Sequence, residues 1–150
     1  MDKKIKIRGG LATDMPDVHS LVYELAVYEK EPESVTATVA DYIRDFNDGV
    51  FKVLIAENEA GEVVGMMLYY IAYSTWRGKM VYLDDFVVRE TARGQGIGQI
   101  LWNALLAESR NLGARLLKWQ VLDWNEPAVR FYERADAIIE KEWWNGKVFL

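Results

Sequence analysis

Cysteine is absent from the 150 residues, which excludes disulfides, cysteine-ligated zinc and a thiol nucleophile. One histidine, His19, cannot build a multi-histidine centre, so no metal is expected. Only three prolines occur, Pro16, Pro32 and Pro127, and no Pro-, Gly- or Ser-rich linker interrupts the chain. Long hydrophobic runs are missing too. The longest, such as Gly65–Ala72, fall far short of the roughly 20 residues a spanning helix needs. Met1-Asp2-Lys3-Lys4 leads directly into a strand-like segment with no apolar signal region. Positive charge is scarce, with 18 Lys and Arg against 23 Asp and Glu, a formal charge of −5. Such a balance disfavours phosphate-backbone binding and favours cationic small molecules. What is abundant is apolar: 51% of residues are hydrophobic and 13% aromatic, enough to bury a core and to exclude disorder. A single domain over residues 1–150 is expected, cytoplasmic, with neither a nucleic-acid nor a membrane partner.

Periodicity orders the chain. Ile5–Arg8 alternates as a first strand. Asp14 stands as an N-cap ahead of Pro16 and Asp17, and Val18, Leu21, Val22 and Leu25 carry a helix to about Tyr28. An acidic loop, Glu29–Thr36, follows. Thr38 and Asp41 suggest a capping box for a helix ended by Asn47-Asp48-Gly49. Phe51–Glu57 and Val63–Tyr73 read as strands around an Asn58–Gly61 turn, and Met80–Val88 as another strand. A glycine-rich turn at Arg93–Gly98 opens a helix ended near Gly113. Arg115–Leu122 is a strand and Glu126–Arg134 a short helix. Ile138–Trp143 and Lys147–Leu150 make a hairpin about Asn145-Gly146. The order gives an α/β fold with a mixed sheet, antiparallel early, and a central crossover helix.

The chemistry centres on Val87–Gly98, where a strand and a Gly-x-Gly-x-Gly turn lead into an amphipathic helix. Glycines let backbone amides approach an anion, the helix N-terminus favours negative charge, and Arg93 offers a planar fork. A tight turn with no ligand would give the same glycines. A P-loop is excluded, since no Gly-Lys-Ser/Thr is present. A dinucleotide fingerprint would follow the first strand of a parallel sheet, whereas an antiparallel meander precedes this turn.

Arg-Gly-Gln-Gly-Ile-Gly at 93–98 resembles the acetyl-CoA pyrophosphate loop of the GNAT acyltransferase superfamily. The later stretch Asn125-Glu126-Pro127-Ala128-Val129-Arg130-Phe131-Tyr132 resembles its second signature. More narrowly, Leu25–Glu29, Met67–Tyr70, Trp76–Lys79, Tyr82–Val88 and Trp124–Pro127 resemble the spermidine/spermine (diamine) acetyltransferase family. The resemblance implies the GNAT fold, with about seven strands splayed at the acetyl-CoA site and about four helices. It implies acetyl-CoA as co-substrate, a small amine as acceptor and a homodimer, in which one subunit's acidic loop would complete the partner's site.

By the same resemblance the backbone of Phe86, Val87 and Val88 would pair with pantetheine amides as an added strand. Gly94, Gln95, Gly96, Ile97, Gly98 and Gln99 would hold the pyrophosphate together with Arg93. Asn125, Glu126, Pro127 and Ala128 would contact the pantetheine arm, and Tyr132 would lie beside the sulfur and protonate the leaving thiolate. Tyr28 and Glu29 would serve the acceptor region.

A primary amine, with a pKa near 10, arrives protonated and must lose a proton before attack. Asp84 and Asp85 are the candidate acceptors. Strand neighbours face opposite ways, so at most one enters the site unless a bulge intervenes. The family carries glutamate at the place of Asp84, and the shorter aspartate makes a relay through water more necessary. Plainer readings compete: a solvated acid pair, a core tyrosine at 132, a solvated run Glu29, Glu31 and Glu33, and half-buried strand aromatics at Trp143 and Trp144. His19 reads as a surface or boundary residue. Asp136 stands where the family's Tyr-x-x-x-Gly pattern would place glycine, which puts the shape of that turn in question. A non-catalytic acyl-CoA-binding or regulatory module is the second reading, and a GNAT acting on a different amine, an antibiotic or a protein N-terminus, is the other alternative. The Tyr132 and carboxylate set argues against the module, since a sensor needs neither.

Overall fold

The computed structural model describes residues 4–150. Met1–Lys3, expected to lead straight into a strand, lie outside the described residues. The chain divides into two compact units, the first ending at Gln120 and the second spanning Val121–Leu150.

In the first unit β1 (Lys6–Gly9), α1 (Met15–Tyr28) and α2 (Val39–Asn47) precede β2 (Lys52–Glu57), β3 (Val63–Ser74) and β4 (Gly78–Val88). Then come α3 (Ile97–Asn111) and β5 (Leu116–Trp119), with short 3-10 turns at Ala12–Asp14, Pro32–Ser34 and Glu90–Ala92. The sheet runs β1-β2-β3-β4-β5, antiparallel except for β5, which lies parallel to β4 because α3 carries the chain across.

Local chemistry sets the helix starts. The Asp41 amide donates to Thr38 Oγ1 at 3.1 Å while the Thr38 amide donates to Asp41 Oδ2 at 2.9 Å, the reciprocal box that opens α2. Asp14 precedes α1 as expected, yet its carboxylate caps no amide of that helix. It accepts from Arg8 Nη1 and Nη2 at 2.8 and 2.9 Å and from the Leu11 amide at 2.7 Å.

Two apolar layers sandwich the sheet. On one face Met15, Val18 and Leu21 of α1 pack on Val53, Ile55, Met66, Leu68 and Val87. Each such side chain removed from water contributes about 1.5–3 kcal/mol. Ile97, Leu101 and Leu105 of α3 are buried as well. A Cβ on Gly65 would stand 3.2 Å from both Leu101 Cδ1 and the Val87 carbonyl, so only glycine lets α3 settle this closely.

In the second unit α4 (Glu126–Arg134) is the regular element. The expected strands Ile138–Trp143 and Lys147–Leu150 do not form, which leaves five strands among the described residues rather than seven. Alternation and an Asn-Gly turn are local signals, and a two-stranded hairpin is marginal in water without a surface on which to bury one face. Ile138 and Trp144 stay 86% and 96% exposed. β5 is also shorter than the expected Arg115–Leu122.

Candidate active site

Asp84 sits at a break in the β3–β4 ladder. Tyr69 pairs with Leu83 and Leu68 with Asp85, so Asp84 has no partner and forms a β-bulge. The extra residue resets the alternation. Leu68 belongs to the α1-facing layer and so, by register, does Asp85. Tyr82, paired with Tyr70, shares that face, and two residues further on so does Asp84. The two neighbouring carboxylates therefore project from the same side, where α1 and α2 pack, and each acts on the other's proton affinity.

Their surroundings raise the affinity for protons. Burial first, then the charges of Asp84 and Glu29, push Asp85 up to about 7. Asp84 is shifted upward by burial. Glu29, at the C-terminal end of α1, is raised by burial and by Asp84. Three acids thus form one cluster in which a proton is retained well above the ordinary carboxylate range. Phenols ring it. Tyr42 of α2 is pushed up to about 12 by burial and by Asp85 and Asp84; Tyr70 is raised by burial and by the same pair, and Tyr82 by burial, Tyr70 and Asp84. Tyr70 stacks on Tyr82 with ring centroids 5.3 Å apart. None of the three tyrosines stood out as a site residue in the sequence. The hairpin register that pairs Tyr70 with Tyr82 was the available signal for two of them, whereas Tyr42 read only as a core position of its helix.

Other sequence candidates separate. Glu31 and Glu33 are exposed, so of the acidic run Glu29 alone joins the cluster. Tyr28 is exposed next to it. His19 is a boundary residue, its Nε2 2.8 Å from the Ala37 carbonyl and its ring edge-on to Tyr42. Trp143 and Trp144 are exposed, not half-buried. Among the described residues no group of His, Asp or Glu is arranged to hold a metal ion.

Beyond the bulge β4 loses a neighbour. β5 pairs with Met80–Leu83 only, so Phe86, Val87 and Val88 are laddered to β3 on one side and have no strand on the other. The sheet thus parts beyond Leu83, where β4 and β5 no longer pair. The chain then turns through Arg93–Gly96 into α3. Gly94 and Gly96 adopt left-handed φ of 79° and 78°, a conformation that strains any residue with a Cβ. Gly96 is the N-cap and supplies no side-chain cap, so no capping side chain claims the first-turn amides of Ile97, Gly98 and Gln99. Arg93 is about half exposed and steadied by its Nε, 3.2 Å from the Val88 carbonyl. Gln95 and Gln99 are exposed beside it, with Gln99 bonded to Asn103 at 2.9 Å. Such a cradle suits a phosphate.

The second unit holds the remaining candidates. Asn125 caps α4, its side chain accepting from the Ala128 amide at 3.4 Å, and Pro127 stands in the first turn after Glu126. Tyr132 is buried, its ring edge-on to Phe131 at 5.6 Å. Asp136 takes a left-handed φ of 62°, so the turn after α4 keeps the conformation glycine would favour despite the aspartate.

The Acetyltransferase (GNAT) family model matches residues 15–136. A thialysine N-epsilon-acetyltransferase of Mus musculus is 35% identical over 150 residues, covering 93% of this chain and 88% of that one. A spermidine/spermine N(1)-acetyltransferase-like protein 1 of Homo sapiens is 33% identical over 141 residues, 89% of this chain and 20% of that one. Among solved structures, an aminoglycoside acetyltransferase from an uncultured soil metagenomic sample superposes with a TM-score of 0.80 at 20% identity, covering 97% and 96% of the two chains. That likeness shows the fold. The sequence matches show the family: this chain belongs to the GNAT acetyltransferases and is an N-acetyltransferase.

Proposed function

We propose that this enzyme transfers acetyl from acetyl-CoA to a primary amine of a small cationic acceptor, a diamine, a polyamine or a thialysine-like amino acid. The observation that carries the reading is the bulge at Asp84, which sets two carboxylates side by side and near Glu29, just past the point where β4 and β5 stop pairing. Acetyl-CoA supplies an activated acyl group as its thioester. The cradle of Arg93 and Gly94–Gln99 would hold its pyrophosphate, and the backbone of Phe86–Val88 its pantetheine amides.

A cationic acceptor is drawn to the acid cluster and must give up a proton there. Asp85 or Asp84, directly or through water, takes it, and Glu29 beside Tyr28 faces a second ammonium group. In the second unit Asn125–Ala128 are assigned to the pantetheine arm and Tyr132 to protonating the thiolate, both from the resemblance. No enzyme-bound acyl intermediate is required. The two relatives' names, thialysine and spermidine/spermine, support a small amine as acceptor.

We take both units as one domain over residues 1–150, a reading supported by the family match running across Gln120. A homodimer and a cytoplasmic location complete the proposal. The first is checked by light scattering and the second by cell fractionation. No helix among the described residues is long and apolar enough to cross a membrane.

Free-thiol release from acetyl-CoA across spermidine, spermine, putrescine, thialysine, lysine and an aminoglycoside tests the function, with Tyr132→Phe run alongside. A diamine, polyamine or thialysine should stand out and the variant should turn over slowly at unchanged acetyl-CoA affinity. Preference for the aminoglycoside would overturn the acceptor assignment. Acetyl-CoA binding with no turnover on any amine would favour the binding-module reading.

A further inference from the structure

The segment between β4 and the glycine cradle is anchored to α1 through one carboxylate. Glu24 Oε1 accepts the Glu90 backbone amide at 2.9 Å. Its Oε2 stands 3.5 Å from Arg89 Nη1, and its Oε1 lies 4.0 Å from Arg93 Nη2. Asp17, two turns earlier on the same face of α1, adds a contact of 3.6 Å to Arg89 Nη2. Arg89 is fixed further by its Nε, which donates to the Val63 carbonyl at 2.9 Å. Glu24 is thus the point where an amide and two guanidinium groups of residues 89–93 converge.

From this geometry we infer that Glu24 is a positioning residue for acetyl-CoA: it fixes the Arg89–Arg93 turn and so presents Arg93 and the Gly94–Gln99 amides in the geometry the pyrophosphate needs. The inference rests on the proposed use of this cradle for acetyl-CoA.

Charge decides why a carboxylate here helps an anion bind. Glu24 and Asp17 face two guanidinium groups. The closer contacts go to Arg89, whose Nη2 and Nη1 stand 3.6 and 3.5 Å from the two acids. Arg93 is held only at 4.0 Å and remains about half exposed, so its donors are oriented without being consumed. Without Glu24 the Glu90 amide loses its acceptor and Arg89 loses one of its two counter-charges. Arg93 would then depend on the Val88 carbonyl alone. A loop of two left-handed glycines has little intrinsic order, so binding would have to supply the ordering that Glu24 now provides in advance. A bond from a backbone amide to a charged acceptor is among the stronger ones, which sets the size of the effect.

The test compares wild type, Glu24→Ala and Glu24→Gln in steady-state kinetics and in calorimetric titration with acetyl-CoA. Glu24→Ala should raise the KM for acetyl-CoA about tenfold, with kcat and the amine's KM within about twofold of wild type. Glu24→Gln keeps an oxygen for the Glu90 amide but not the charge, and should raise that KM about threefold. The glutamine is isosteric, so it carries the test if the alanine variant does not fold. A merely structural role would lower the melting temperature while leaving the acetyl-CoA KM in place, or would weaken both substrates together. Either result overturns the proposal. If wild type binds acetyl-CoA tightly and both variants match it, this inference alone falls. If wild type binds no acetyl-CoA, the proposed function falls with it.

Discussion

Asp84 and Asp85 follow one another in the chain and yet project from the same face of the sheet, because Asp84 is the unpaired residue of a bulge opposite Leu68 and Tyr69. A regular strand would have sent one of them to the α3 side. The consequence is a carboxylate pair with raised proton affinity, Asp85 being shifted up to about 7 by burial first and then by Asp84 and Glu29.

The pair should govern the pH dependence of acetyl transfer. A base acts when ionised, so kcat/KM should rise through an acid limb near pH 7. Asp85→Asn should lower kcat about 100-fold, the usual loss on removing a positioned base. Asp84→Asn should cost less and should move the limb to lower pH, since the charge that raises Asp85 is gone while its burial remains. Profiles from pH 5.5 to 9 on the three proteins distinguish these outcomes. Full activity in Asp85→Asn would place the proton elsewhere.

The same shift predicts a cost in stability. A carboxyl whose folded pKa is raised binds more protons in the native than in the unfolded state between its two pKa values. The fold therefore weakens as pH rises from about 4 to about 7 and stays weakened above. Asp85→Asn removes that linkage. The variant should be more stable than wild type at pH 7.5, by on the order of 1–2 kcal/mol, and melt higher accordingly, and the gap should close toward pH 4.5. Thermal denaturation at both pH values is the check.

How much of this could be read from residues alone divides along the reach of the signals. The Thr38–Asp41 box and the glycine cradle were legible, because a cap or a tight turn is set within a few residues of itself. The bulge was not. It belongs to the register between β3 and β4, and neither Leu68-Tyr69 nor Asp84-Asp85 announces by type that one residue will go unpaired. The same limit explains the hairpin expected at Ile138–Leu150, whose alternation met no partner strand and whose side chains remain largely in solvent. Asp14 shows a third case, in which a side chain suited to capping was claimed by Arg8 instead.

Arg8 should matter for folding more than its surface position suggests. Its Nε lies 2.6 Å from Glu57 Oε2 and its Nη1 2.8 Å from Asp14 Oδ2, so one guanidinium ties β1 to β2 and to the turn before α1. The Asp14 carboxyl is held below its ordinary value chiefly by that bond. Breaking a partly buried pair leaves an uncompensated charge, here two. Arg8→Met should lower stability by about 2–3 kcal/mol in urea denaturation at pH 7, less than a fully buried pair would lose. Because Asp14's depressed pKa stabilises only above its unfolded value, the deficit should shrink as pH falls below about 4.

Asp136 offers a substitution in the opposite direction. Its φ of 62° is one that an L side chain adopts at a cost of about 1 kcal/mol, and aspartate tolerates it better than most. The turn is held in place by its neighbours: the Asp136 amide bonds to the Glu133 carbonyl at 3.1 Å and the Ala137 amide to the Tyr132 carbonyl at 3.0 Å. Glycine would relieve the strain while adding freedom to the unfolded chain, and the two effects partly offset. Asp136→Gly should therefore raise stability by about 0.5 kcal/mol and leave turnover intact. Asp136→Val, β-branched at the same φ, should lower stability by about 1–2 kcal/mol. Equal melting temperatures for the two variants would mean that the turn does not hold its left-handed conformation in solution.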